Sequence, residues 1–118
     1  MNEKRNIIKD KSFEFAIDIV KLYQHLVEKQ KEYVLSKQLL RSGTAIGALV
    51  REAQNAESKA DFIHKLAIAQ KECDESLYWI ELLIETKYLS GIEIETIQNK
   101  ATELLKMIRS AIVTLKNK

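Results

Sequence analysis

The chain has 118 residues, 46% apolar and 31% charged, with 19 basic against 17 acidic side chains. That length supports one domain around one core, and no shift in composition marks a second domain. A net charge of +2 without any basic block excludes a strong grip by a single copy on a phosphate backbone.

Proline is absent and glycine occurs three times, so little interrupts long helices. The single cysteine, Cys73, cannot form an internal disulfide and falls on an apolar stripe. It predicts a reducing compartment and excludes a cysteine-built metal site. The opening MNEKRNIIKDK lacks the apolar core of a signal peptide, and no apolar run reaches spanning length. The expectation is a cytoplasmic protein with no membrane partner.

Residues 1–11 are mostly polar apart from Ile7 and Ile8, and read as an arm that docks late. Helix one is expected over about 12–30, with Ser12 as its cap. It carries two apolar stripes. The first, taken as the inner one, is Phe13, Ala16, Ile17, Val20, Tyr23 and Val27; the second is Phe15, Ile19, Leu22 and Leu26. A core-facing helix needs an apolar arc a little over about 100° wide, and this arc is about twice that. The surplus predicts a subunit interface on Phe15, Ile19, Leu22 and Leu26, because such a face is costly to leave in water.

Helix two is expected over about 35–56, after the polar connection Lys29-Gln30-Lys31-Glu32. Leu39, Ile46, Val50 and Ala53 form its stripe, with Ser42, Gly43, Ala45, Gly47 and Ala48 packed among them. Each glycine costs about 1 kcal/mol against alanine in a helix, so two of them four residues apart indicate a close neighbouring backbone. Helix three is expected over about 59–87, opened by Ser58 as N-cap with Asp61 three residues on. Phe62, Leu66, Ala69, Cys73, Leu77 and Ile80 then follow the helical period. Helices two and three are read as an antiparallel pair packed through small residues. Ile68, Trp79 and Leu82 lie beside the inner stripe as a further interface candidate, with Trp79 either its anchor or a cap on the end of its own bundle.

Leu89-Ser90-Gly91 breaks the pattern before helix four, expected over about 93–116. Short connections between four long helices predict an all-α, up-down-up-down, left-handed four-helix bundle.

The run Leu39-Leu40-Arg41-Ser42-Gly43-Thr44-Ala45-Ile46-Gly47-Ala48 carries a resemblance, as do Glu52-Ala53, Ser58 to Ile63, and Lys71-Glu72 to Tyr78-Trp79. Together they resemble the bacterial four-helix-bundle proteins encoded in intervening sequences of large-subunit ribosomal RNA genes. The accessory variability determinant of diversity-generating retroelements belongs to the same family. The resemblance covers about a third of the chain densely, and the rest in length and helix count. It implies an up-down bundle, often assembled as a ring-like homopentamer, with no known enzyme activity. For the retroelement member it further implies binding to nucleic acid and to a reverse transcriptase.

The residues offer little chemistry. A di-iron bundle needs two Glu-x-x-His pairs and two further glutamates, whereas only His25 and His64 are present and Asp61-x-x-His64 is the single acid–histidine step. No metal or cofactor is expected. Glu72 and Glu75 could hold magnesium in a nucleotide hydrolase, but no second acidic pair faces them. An ion-pair network of Arg41 with Glu72 or Glu75, and Glu52 as a further acceptor, accounts for them better. Cys73 has no histidine at a useful local spacing, and no small-molecule substrate is expected.

Lys106, Arg109 and Lys116 share one flank of helix four, and Lys21 and the arm's Lys4, Arg5, Lys9 and Lys11 add charge. These form a candidate nucleic-acid surface, to be weighed against a merely solvated face. The resulting expectation is a non-enzymatic homo-oligomer acting as a binding platform for RNA, DNA or a nucleic-acid enzyme. The alternatives are a protein-interaction module with no nucleic-acid role and, behind it, the magnesium-dependent hydrolase.

Overall fold

The computed structural model describes residues 3–118, apart from the side chain of Lys4. Four helices make an all-α bundle: α1 (Glu3–Glu28), α2 (Leu35–Gln54), α3 (Lys59–Glu85) and α4 (Ile92–Lys116). Each packs on its neighbour in the chain, and α4 packs back on α1. The molecule measures 47 × 22 × 19 Å, the length of a helix of this size plus its end loops.

The expected arm is helical instead. Within the described residues α1 runs from Glu3, while residues 1–2 of that arm lie outside them. Ile8 is buried in the core with Phe15 and Ile19, so the stripe extends about two turns further back than its polar composition indicated. Ser12 is correspondingly no cap. It is buried mid-helix, and its hydroxyl donates to the Lys9 carbonyl at 3.0 Å. Arg5 lays its guanidinium 4.3 Å from the centre of the Phe62 ring, which ties the first turns of α1 to the start of α3.

The two stripes of α1 are inverted relative to expectation. Phe15, Ile19, Leu22 and Leu26 form the buried face, whereas Phe13, Ile17 and Val20 are 51%, 40% and 39% exposed. The physical reason is the close approach of α2. A Cβ added to Gly43 would lie 2.8 Å from Ile19, and one added to Gly47 would lie 3.3 Å from the Ser12 carbonyl oxygen. The small Ser12 and the two glycines let α2 settle on that face, and the Phe15 side follows it inward. The glycines therefore serve the α1–α2 contact. The α2–α3 contact is made by Ser42 and Ser76, whose buried hydroxyls stand 2.9 Å apart.

The ends are closed by local hydrogen bonds. Ser58 accepts the Asp61 N–H at 3.0 Å, and the Asp61 carboxylate accepts the Glu57 N–H at 3.2 Å, a variant of the capping box. Glu32 does the comparable work for α2. Its carboxylate takes the N–H groups of Ser36 (2.7 Å), Leu35 (3.1 Å) and Val34 (3.3 Å), and the Ser36 hydroxyl donates back to the Glu32 carbonyl at 2.8 Å. At the end of α3, Tyr88 N–H reaches the Leu83 carbonyl and Lys87 N–H the Ile84 carbonyl. This is a Schellman closure with Lys87 at φ 67° in the position glycine usually takes.

Candidate functional site

Phe13, Ile17 and Val20 lie on the face of α1 turned away from its buried stripe. Arg51 of α2 sits 5.0 Å from the centre of the Phe13 ring, and the exposed Ala48 lies one turn earlier on α2. Together they form an apolar face with a cationic edge. The interface expected on Phe15, Ile19, Leu22 and Leu26 is thus corrected: those side chains are the subunit's own core, and the apolar surplus of α1 emerges on the opposite stripe. The surplus was legible in the helical wheel, but its side was not. Both stripes are equally greasy, and the signal that separates them is the small-residue match of Ser12 with Gly43 and Gly47.

On α3, Ile68, Trp79 and Leu82 are half-buried, and Trp79 packs against the core. Its indole N–H donates to Glu75 at 3.0 Å, and the Tyr78 ring meets it edge-on at 5.1 Å. Arg41 reaches across from α2 to Glu72 at 2.9 Å and also pairs with Glu75. The Trp79 N–H, and with it Arg41, holds the Glu75 carboxyl below the usual carboxylate range. A magnesium ion on these carboxylates would have to displace a guanidinium. Glu52 does not join this network and pairs with Lys65 at 3.1 Å. Among the described residues no cluster of three or more His, Cys, Asp or Glu could hold a metal. Burial, aided by Asp74, pushes the Cys73 thiol up to about 12, far from the thiolate that nucleophilic chemistry needs.

The basic residues are dispersed. Lys106 and Lys116 are exposed on α4, and Arg109 stands 3.8 Å from Asp74. Lys21 lines a separate cleft between α1 and α4 that none of those three reaches. Lys11 and Lys100 are engaged by Glu103 and Asp18 at 2.6 and 2.8 Å. No helix among the described residues is long and apolar enough to cross a membrane.

These features define a class: an all-α bundle whose polar side chains cap helices and bridge neighbours, and whose most unusual surface is apolar. More narrowly, the chain belongs to the 23S rRNA-intervening sequence protein family, whose model matches residues 4–110. It is similar to a protein of unknown function from the S23 ribosomal protein family of Bacteroides thetaiotaomicron, known from a crystal structure. The two are 57% identical with a TM-score of 0.90, over 92% of this chain and 97% of that one. No curated protein matches the sequence.

Proposed function

We propose that this chain is a non-enzymatic helical bundle that self-associates and offers its assembled surface as a binding platform, with RNA, DNA or a nucleic-acid enzyme as partner. The observation that carries the reading is the exposed Phe13, Ile17 and Val20 face, an apolar patch that association would shelter from water. Membership of a family named for a ribosomal RNA insertion supports a nucleic-acid setting. The family resemblance favours a ring, pentameric in subunit number, in which one face of each copy meets a different face of the next. Such a ring would also bring copies of Lys106, Arg109 and Lys116 into one array, which a single subunit with its basic side chains dispersed cannot offer.

Up-down-up-down topology belongs to the same reading. Lys11 and Asp18 ascend α1 while their partners Glu103 and Lys100 descend α4, and Arg41 and Glu52 pair in the same opposed sense with Glu72 and Lys65.

A second reading, a protein-interaction module with no nucleic-acid role, draws on the ion pairs that already occupy Lys11, Lys65 and Lys100. Anisotropy of a labelled RNA titrated with the protein across a salt series separates the two. The platform reading expects binding at low salt that falls steeply as salt rises and is weakened by Lys106→Glu with Lys116→Glu. An assembled protein that leaves the RNA unbound at low salt would favour the second reading and defeat the first.

A further inference from the structure

We propose that the outward face of α3 around Tyr78 and Leu82 is the surface on which the Phe13, Ile17 and Val20 stripe of the next copy lands. The occupant is a second copy of this chain, so the assignment rests on the self-association reading above and names the counter-face it leaves open. Within one chain α1 packs on α2 and α4 but not on α3, so α1 and α3 stand at opposite corners with separate outer faces. Besides α1, the long sides of the bundle expose a large apolar side chain at Tyr78 on α3 and at Val113 on α4. Val113 stands alone among Lys106, Arg109 and Lys116. Tyr78 has apolar company: Ile68, Trp79 and Leu82 lie half-buried around it, and its ring meets Trp79 edge-on at 5.1 Å. Trp79 is held in turn by Glu75, which Arg41 also grips. An aromatic pair fixed before contact loses little freedom on binding.

Charge sets which faces meet. α1 carries five basic and five acidic residues, and α2, which borders its stripe, carries three basic and one acidic, so the pair has a net charge of +2. α3 carries three basic and six acidic residues, a net of −3. On its outer side Glu81 and Glu85 enter none of the ion pairs among the described residues, and Lys71 is the cation beside them. Two α1–α2 sides facing each other would set +2 against +2, whereas an α1–α2 side against α3 sets +2 against −3. Both apolar faces also lean toward α2, since Arg51 of that helix touches Phe13 and Arg41 reaches Glu75. Copies joined head to tail through them turn to one side, as a ring requires, instead of running straight.

The test is complementation, read by light scattering with circular dichroism to verify helical content. Tyr78→Glu/Leu82→Glu removes the α3 face and Phe13→Glu/Ile17→Glu the α1 face. Each variant alone should scatter as a single chain, and an equimolar mixture as two chains and no more, because one intact face of each kind remains. Should the Leu82 change unfold α3, Tyr78→Glu alone serves: its side chain is exposed, and the change should raise the concentration needed for assembly by about tenfold or more. Trp79, the chain's one tryptophan, should move its emission to longer wavelength in Phe13→Glu/Ile17→Glu, although α1 and α3 do not touch within a chain. An α3-face variant that keeps the wild-type mass would overturn the counter-face and leave association through α1 standing. A mixture that stays at one chain, or Trp79 emission indifferent to the α1 changes, would do the same. A wild type that scatters as one chain would defeat both.

Discussion

A methyl group on Gly43 would meet both Cγ atoms of Ile19 at 2.8 Å and its Cβ at 3.2 Å. Ile19 is fully buried and stiff at χ1, so it cannot swing aside. Gly43→Ala should therefore destabilise the fold by about 1–3 kcal/mol, more than the roughly 1 kcal/mol gained in helix propensity. Gly47, four residues on, meets the Ser12 carbonyl oxygen only at 3.3 Å. A shift of a few tenths of an ångström accommodates that, and the propensity gain leaves Gly47→Ala close to neutral. Urea unfolding of both variants checks the order, and equal costs would contradict the close approach of α1 at Gly43. The glycine pair was readable as the mark of a nearby backbone. That the backbone is α1 and not α3 was not, because Ser42 on the same helix presents an equally small surface to Ser76 and spacing alone does not assign partners.

At the scale of the element, the decisive device is Glu32. Burial alone would push its carboxyl up, but the N–H groups of Ser36, Leu35 and Val34 hold it below its ordinary value of 4.5. A carboxylate with a depressed folded-state pKa contributes stability that is present above the unfolded value and lost as pH falls through the folded one. Glu32→Gln should cost about 1–2 kcal/mol near neutral pH, in the range of a lost helix cap. The gap between wild type and variant should then close as the pH drops below about 4.5, the ordinary carboxylate range. Thermal unfolding at neutral pH and at pH 3 measures this, and a gap that stayed constant would remove the charge from the account. Ser58 and Asp61 were legible because their signal is local and conventional in spacing. Glu32 was not: it acts from outside the helix it caps, and in sequence it is one more polar residue in a connection. The first turns of α1 were missed for a related reason, since two isoleucines among charges look like a frayed arm until Ile8 has a core to enter.

At the scale of the whole molecule, four helices and an all-α core follow from the absence of proline and the period of the apolar residues, and the 57%-identical crystal structure has the same fold. The surplus of apolar surface on α1 followed from counting as well. Its location required the third dimension, because the choice between Phe13 and Phe15 is made by a neighbouring helix. With Phe15, Ile19 and Leu26 inside, the case for association rests on Phe13, Ile17 and Val20. These can be changed without opening the core. The most direct test is light scattering on the wild type and on Phe13→Glu/Ile17→Glu at the same micromolar concentration, with circular dichroism to verify helical content. The account predicts a wild-type mass of several chains and a fully helical variant with the mass of one. A wild type that scatters as a single chain, or a double variant that keeps the assembled mass, would contradict it.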